Sequence, residues 1–184
     1  MSEFTRALCA AIALDRCVLL GASMGGCIAL ETAIAAPALV AALVLVGTGA
    51  RCGVVDTELE KLRLVTEGKA RREFNRAEYS PHASPDVMRR GFMEDLKTDP
   101  RVVYGNALAL RGWSREADLG RISCPTLVVV GEDDAGMRAE SQRLASGISG
   151  ARQVVVPKCG HRVALEQPEA LAEAVLGFLS ELAR

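Results

Sequence analysis

The sequence predicts an α/β fold: one parallel β-sheet with helices on both of its faces. Short apolar runs alternate with helical patterns, which is how strand–helix–strand units appear in a sequence. Most of these runs are continuously apolar rather than alternating, as expected of parallel strands that are buried on both faces. We therefore predict a sheet of about four strands, at residues 17–20, 43–46, 126–130 and 153–156.

Helical patterns separate most of the predicted strands. Phe4, Leu8 and Ile12 form an apolar stripe before the first strand. Residues 24–36 are apolar nearly all round, which predicts a buried helix after that strand. Two more stripes follow the third and fourth strands, at Met137, Leu144 and Ile148 and at Leu171, Val175, Phe178 and Leu182. This order predicts right-handed crossover connections.

The stretch between the second and third strands breaks the alternation. It contains no convincing strand and is densely charged. Ser84-Pro85 and Asp99-Pro100 each have the pattern of a helix N-cap followed by proline at the first helical position. We predict a helical cap at residues 51–115, inserted between a first core part (1–50) and a second core part (116–184).

Composition narrows the class of partner. Lys+Arg number 22 and Asp+Glu 23, for a net charge of -1, whereas a nucleic-acid binder is expected to have a basic excess. The longest apolar stretch, 33–46, is interrupted by Pro37 and is shorter than the roughly 18–20 residues of a membrane span. We expect a small-molecule ligand, no nucleic acid and no membrane.

Cysteine usage and the first residues predict the compartment. The 6 cysteines include no CxxC pair, so we expect neither a disulfide framework nor a zinc site. The first apolar run follows Glu3 and lacks a cleavage pattern, which argues against a signal peptide. A reducing, cytoplasmic location is the expectation.

The pattern G-x-S-x-G at residues 21–25 carries the clearest chemical signal. It follows an apolar strand and opens a helix, as a nucleophile elbow does. Such a turn is so tight that only glycine is expected to fit two residues before and after Ser23. It would raise the hydroxyl above the sheet edge, beside the unpaired N–H groups of the helix. The alternative is a glycine-rich turn whose serine only caps the helix.

Two other strand ends carry reactive residue types. Glu132, Asp133 and Asp134 follow the third strand, and His161 follows the fourth. The carboxyl ends of parallel strands share one edge of a sheet, where ligand sites form. Ser23, one acid and His161 should therefore meet there, in the chain order Ser, Asp, His.

Residues 21–26, 131–134 and 160–168 resemble the corresponding segments of the α/β-hydrolase superfamily. Residues 45–51 and the region around Trp113 resemble its enol-lactonase branch, typified by 3-oxoadipate enol-lactonase. The resemblance implies a three-layer fold and a serine hydrolase of carboxylic esters or lactones, with no metal or organic cofactor. It maps the family's acid to Asp134. Asp133, and then Glu132, are the alternatives, and either is otherwise expected to be a solvated loop acid.

The resemblance also implies the role of each residue. His161 would remove the proton of Ser23 as Oγ attacks the substrate carbonyl, while Asp134 would orient the imidazole. The backbone N–H of Met24 would donate to the oxyanion, and water would then release the acyl group.

The helical cap would cover Ser23 and contribute to substrate binding. Trp113 is the main candidate for an apolar pocket wall. For Phe92 and Met93 we favour a place in the cap's own small core. One arginine of the pairs 71–72 and 89–90 could hold a substrate carboxylate, although such pairs are more often hydrated helix faces.

The chain departs from the family pattern before the elbow. The family has several strands there and a His-Gly loop that supplies a second oxyanion N–H, whereas this elbow already occurs at residue 23. The resemblance therefore predicts an uncovered edge at residues 17–20, with an apolar face suited to homo-oligomerisation. It also predicts reduced activity. The alternatives are a fragment of a longer hydrolase, a non-catalytic binding or interaction protein, and a small-molecule sensor.

Overall fold

The computed structural model describes residues 1–183 and has the predicted α/β architecture. Within these residues it forms one sheet of four parallel strands in the order β1-β2-β3-β4. The strands are β1 (Cys17–Ala22), β2 (Val40–Val46), β3 (Thr126–Gly131) and β4 (Arg152–Val156). Each predicted strand is present and is longer than expected by one to three residues.

Helices occupy the connections between the strands. The α-helices are α1 (Ser2–Ala11), α2 (Met24–Ala35), α3 (Asp56–Thr66), α4 (Pro85–Lys97), α5 (Pro100–Leu110), α6 (Arg138–Gly147), α7 (Val163–Glu166) and α8 (Pro168–Leu182). Short 3-10 turns cover Pro37–Leu39, Arg76–Glu78 and Glu116–Arg121. Ser84 caps α4 by accepting a hydrogen bond from the Val87 N–H (3.3 Å), and Asp99 caps α5 by accepting one from the Arg101 N–H (2.8 Å).

The central strand β2 is buried on both faces because helices cover both. Leu43 and Leu45 pack in a core with residues of α2 and α6. Val44 and Val46 point to the opposite face, into a second core that includes Phe178 of α8. The continuous apolar run in the sequence thus reflects two cores on either side of one sheet.

Strand register aligns the carboxyl ends of the strands at one edge of the sheet. Ala22 pairs with Val46, Val46 with Val129, and Gly131 with Val156. Since all four strands run in the same direction, the residues that follow them lie along this edge.

Strand β1 lies at an edge of the sheet, and the side of it that faces away from β2 pairs with no strand of residues 1–183. Its Val18 and Leu20 are 42% and 54% exposed. The predicted helix α1 is present, yet the apolar stripe at Phe4, Leu8 and Ile12 is also exposed. Cys9, on another face of α1, is the buried residue of that helix. The apolar spacing predicted a helix correctly but not which face it buries.

The insert between β2 and β3 holds the helices α3 to α5. Its two ends meet in an antiparallel bridge between Arg51 and Ser114. The division into a core and a cap at residues 51–115 stays a prediction.

The six cysteines are free thiols, and the Sγ atoms of Cys27 and Cys52 lie 3.4 Å apart. Across residues 1–183, no cluster of three or more His, Cys, Asp or Glu side chains is arranged to hold a metal ion. No helix in the same residues has the length and hydropathy needed to cross a membrane.

Candidate active site

Ser23 occupies a strained turn between β1 and α2. Its φ of 50° and ψ of -118° lie in a region that non-glycine residues rarely adopt, at a cost of about 1–3 kcal/mol. Two backbone hydrogen bonds hold the turn: the Ser23 N–H donates to the Val46 carbonyl (2.8 Å), and the Gly26 N–H donates to the Ser23 carbonyl (2.9 Å). The side chain of Ser23 is exposed at the sheet edge.

Close packing explains two of the glycines around Ser23. A Cβ on Gly21 would lie 2.2 Å from the Gly25 carbonyl oxygen, so glycine is required before the serine. A Cβ on Gly25 would have nothing within 4 Å, so the expectation that the turn itself excludes other residues there was wrong. The second crowded position is Gly26, where a Cβ would lie 2.4 Å from Thr48 Cγ2 because α2 packs against the loop after β2.

The structure brings Ser23, His161 and Asp134 into one hydrogen-bonded chain. His161 Nε2 lies 3.1 Å from Ser23 Oγ, and His161 Nδ1 lies 2.8 Å from Asp134 Oδ2. Asp134 is buried, and its Oδ1 accepts a hydrogen bond from the Met137 N–H (3.1 Å). The carboxylate is therefore fixed at both oxygens, with one of them directed at the imidazole.

The surroundings of His161 favour its charged form. The hydrogen bond that Nδ1–H donates to Asp134 raises the pKa of His161, and partial burial opposes this effect. The charges of Asp134 and Glu78 raise the pKa further, while the nearby Arg162 lowers it. An imidazole in this setting can accept a proton from Ser23 and be stabilised as imidazolium.

The three acids after β3 have different partners. Asp134 contacts His161, whereas Asp133 Oδ2 accepts a hydrogen bond from the Ser80 hydroxyl (2.6 Å). Glu132 accepts one from the Lys158 N–H (3.1 Å). The expectation that Asp133 would be a solvated loop acid was wrong, because it binds a fully buried serine of the insert.

Gly47 lies behind the imidazole and was not singled out from the sequence. Its φ is 53°, and a Cβ there would lie 3.3 Å from the His161 carbonyl oxygen and 3.4 Å from Nδ1. Glycine thus allows β2 to end in direct contact with the His161 loop. The sequence feature that could have identified Gly47 is its position directly after a buried strand, at the sheet edge shared by the strand ends.

Met24 is the first residue of α2, as the elbow pattern predicted. Its N–H has no carbonyl four residues earlier within the helix and points out of the helix start. This places a backbone donor directly after Ser23. Its role as an oxyanion donor stays a prediction.

The structure gives Trp113 a packing role rather than a place beside Ser23. Its indole N–H donates to Glu31 Oε1 (2.8 Å), and its ring packs on the core shared by α2 and α6. Glu31 lies seven residues beyond Met24, or about 10 Å along the helix axis. The N–H of a half-buried indole needs a hydrogen-bond partner. The partner here, Glu31, lies about two turns of α2 away from the elbow. Its predicted contact with substrate therefore has no support in its surroundings.

The other aromatic candidate belongs to the insert's own core. Phe92 meets Phe74 edge-to-face with ring centroids 5.6 Å apart, and Phe74 stacks on Tyr79. Met93 is 53% exposed and lines an open groove, so the expectation that it would lie in this core was wrong.

Arginines of α4 line an open groove of about 270 Å³ beside α7, formed by Arg89, Arg90, Met93, Glu94 and Leu165. Ser23, His161 and Asp134 do not contribute to this lining.

The insert also contacts the loop that carries His161, through a residue that sequence reasoning missed. Arg162 forms ion pairs with Glu78 (2.6 Å) and Asp95 (2.7 Å). Nothing in the local sequence signals these pairs, because their partners lie 84 and 67 residues away.

A parallel sheet with a serine at a strained strand–helix turn, and with histidine and aspartate at two other strand ends, defines an α/β-hydrolase architecture. The chain belongs to the α/β hydrolase family, whose model matches residues 2–174.

Named relatives are hydrolases. The chain is 31% identical over 182 residues to the 2-hydroxy-6-oxo-6-(2'-aminophenyl)hexa-2,4-dienoic acid hydrolase of Metapseudomonas resinovorans. This match covers 90% of the chain and only 60% of the length of that relative.

Solved structures agree with the fold. A thermophilic esterase from Thermogutta terrifontis superposes with a TM-score of 0.85 at 28% identity, over 98% of this chain and 71% of the esterase. Est816, an N-acyl homoserine lactone degrading enzyme, superposes with a TM-score of 0.78 at 25% identity, over 96% of this chain and 73% of Est816.

Proposed function

We propose that the protein is a serine hydrolase of carboxylic esters or lactones, with Ser23 as nucleophile, His161 as base and Asp134 as the residue that orients the base. The observation that carries this proposal is the continuous hydrogen-bonded chain from Ser23 Oγ through the imidazole to the buried Asp134 carboxylate. A serine that only capped α2 would direct its oxygen to a backbone N–H, whereas the Ser23 side chain makes no such cap hydrogen bond.

The first half of the reaction forms an acyl-enzyme. His161 Nε2 accepts the hydroxyl proton while Ser23 Oγ bonds to the carbonyl carbon, and the carbonyl π electrons move to oxygen. When this oxyanion collapses, the bond to the leaving oxygen breaks and the imidazolium returns its proton to that oxygen. In a lactone the leaving oxygen stays attached through the acyl chain.

The second half repeats these steps with water. The neutral imidazole removes a proton from water, which attacks the acyl carbon, and Ser23 leaves with the proton. The Met24 N–H is the proposed donor to both oxyanions. Losing one donor of an oxyanion hole costs about 10²–10³ in rate.

Two comparisons support the substrate class. Est816 acts on an N-acyl homoserine lactone, and the relative from Metapseudomonas resinovorans acts on a dienoic acid. The first name supports a lactone substrate and the second a substrate that carries a carboxylate, and neither names both groups. A lactone that carries a carboxylate, as in the enol-lactonase branch, is our proposal.

The experiment is labelling with a fluorophosphonate probe, followed by mass mapping of the labelled peptide. We expect one adduct, on Ser23, and none in Ser23→Ala. Ser146→Ala is the matched control, because Ser146 is also an exposed serine but lies within α6 and bonds to Gln142 instead of an imidazole. Hydrolysis of 4-nitrophenyl acetate and of dihydrocoumarin then measures turnover.

The outcomes separate the enzyme from its alternatives. Label on another residue, or equal labelling of Ser23→Ala, would contradict the proposed nucleophile. Ester turnover no faster than that of Ser23→Ala would favour a non-catalytic interaction protein. Saturable lactone binding without turnover would favour a sensor.

The uncovered edge of the sheet supports a second proposal, that two copies associate through β1. Val18 and Leu20 are exposed on this strand, and the apolar stripe of α1 is also exposed. A two-fold axis beside β1 would pair the two edge strands antiparallel and satisfy their unpaired backbone groups.

A further inference from the structure

The loop that carries His161 is fastened to the insert by Arg162. Its Nε donates to Glu78 Oε2 (2.6 Å), while Nη1 and Nη2 donate to the two oxygens of Asp95 (3.1 and 2.7 Å). The three side chains are 28–33% exposed. A bidentate, partly buried pair fixes geometry in a way that a single exposed ion pair does not.

Glu78 also contacts His161 through a hydrogen bond between their backbones. The His161 N–H donates to the Glu78 carbonyl oxygen over 2.8 Å. Glu78 is the last residue of the 3-10 turn Arg76–Glu78. The position of this carbonyl therefore depends on how firmly the turn is held, and its own side chain is held by Arg162.

Ser80 provides a second attachment of the same segment. Its side chain is fully buried, its Oγ donates to Asp133 (2.6 Å), and its N–H donates to Glu166 Oε2 (2.8 Å). The other oxygen of Glu166 accepts a hydrogen bond from the Gly160 N–H (3.1 Å). Residues 78–80 are thus bound to the neighbours of both His161 and Asp134.

We propose that Arg162 is a positioning residue of the active site: by holding Glu78 and Asp95, it fixes the carbonyl that binds the His161 N–H and so sets the imidazole between Ser23 and Asp134. This inference rests on the proposed function. Arg162 does not touch the reacting atoms, and it acts through the backbone of the residue before it.

The pKa of His161 separates a positioning role of Arg162 from an effect of its charge alone. The charged groups that face His161 are Asp134, Glu78 and Arg162. Glu78 raises the pKa of His161 and Arg162 lowers it. Removing only the charge of Arg162 would raise the pKa of His161, whereas loosening the hydrogen bond to Asp134, the largest cause of the raised pKa, would lower it. If Arg162 positions the imidazole, Arg162→Met should therefore lower the pKa of His161.

NMR titration of the imidazole measures this pKa without requiring activity. The chain has 2 histidines, so a His82→Asn background leaves the signal of His161 alone. The downfield Nδ1–H proton reports the hydrogen bond to Asp134, and we expect Arg162→Met to weaken or broaden it. Arg143→Met is the matched control, because it removes the same charge from an ion pair with the 14% exposed Glu140 on α6.

Arg162→Lys separates position from charge. A lysine keeps the positive charge but lacks the planar fork that binds Glu78 and Asp95 together. Because the charge is kept, any fall in the pKa of His161 in this variant reports the loosened hydrogen bond to Asp134. We expect such a fall, together with a several-fold lower rate of Ser23 labelling. Arg162→Met should lower that rate about tenfold, since small displacements of a reacting group are costly.

Two results decide the inference. If folded Arg162→Met and Arg162→Lys, assayed well below their melting temperatures, keep the wild-type pKa, Nδ1–H signal and labelling rate, Arg162 is only structural and the proposal is wrong. If the wild-type chain is not labelled at Ser23 but the pKa and Nδ1–H signal change as expected, the proposed function fails while the positioning of His161 by Arg162 stands.

Discussion

Replacing Gly47 with alanine tests whether the end of β2 sets the position of His161. Gly47 has a φ of 53°, and the added Cβ would lie 3.3 Å from the His161 carbonyl oxygen. Gly150 is the matched control, because its φ is 72° and a Cβ there would meet nothing within 4 Å. Both substitutions strain the backbone, and only Gly47→Ala touches the candidate active site.

The two variants share the same backbone cost in stability, and only Gly47→Ala adds a steric contact. Alanine in the left-handed region costs about 1–2 kcal/mol, and the stiffer unfolded chain offsets about 0.4–1 kcal/mol of this. Each variant should therefore lose roughly 1 kcal/mol, or about 2–4 °C in Tm for a chain of this size. In Gly47→Ala the His161 loop must also move by a few tenths of an ångström. If 1 Å of misplacement costs about 100-fold, a shift of about 0.3 Å costs about fourfold.

The assay is the second-order rate of Ser23 labelling by the fluorophosphonate probe, measured at a temperature where both variants are fully folded. Gly47→Ala should react about fourfold more slowly than Gly150→Ala, which should match the wild type. Equal rates in the two variants, with equal losses in Tm, would refute the idea that Gly47 positions the imidazole.

Three further predictions follow from the same contacts. Asp134→Asn removes the group that raises the pKa of His161. Because the neutral imidazole is the base, the rate at which wild-type Ser23 is labelled should rise with pH through a pKa above 6.5. In the variant this rise should occur at a lower pH, and the labelling rate should fall by roughly 10³–10⁴. In thermal melts, Gly21→Ala should lose about 1–3 kcal/mol of stability or fail to fold, because its Cβ would meet a backbone carbonyl. The stability of Gly25→Ala should be unchanged or slightly increased. The opposite order of stabilities would show that Gly25 is the crowded position. In light scattering after size exclusion, Leu20→Glu should shift any dimer of the wild-type chain to monomer, and a monomeric wild type would contradict association through β1.

The sheet could be predicted because its signals are local. A continuous apolar run such as residues 43–46 needs cover on both faces, and the structure provides two cores for it. Ser23 and His161 could be identified because each follows a strand end, and the edge on which parallel strands end is fixed by topology. Active-site residues can therefore be identified from the sequence wherever the order and direction of the strands alone determine their position.

Other parts of the site depend on pairs of distant residues and left no local signal. Asp133 and Asp134 are adjacent and chemically alike, and what separates them is that Ser80 of the insert binds one and His161 binds the other. The misplaced face of α1 has a similar origin: an apolar stripe shows which residues could be buried, but not whether another element lies there to cover them. Long-range contacts, rather than propensity or periodicity, decide these cases.

Each of the four strand ends supplies a different part of the candidate site. Strand β1 ends in Ser23, β2 in the Gly47 that allows close approach, β3 in the turn with Asp134, and β4 in the loop with His161. The hydrogen-bonded chain from hydroxyl through imidazole to carboxylate is therefore complete within the described residues, whereas stabilisation of an oxyanion is a separate requirement of the reaction. Because a fluorophosphonate consumes the serine once and catalysis must release the acyl group repeatedly, labelling of Ser23 at a high rate with slow ester turnover would place the slow step in release of the acyl group by water. Slow labelling would instead place it in the attack by Ser23, which needs both the imidazole base and the oxyanion donor.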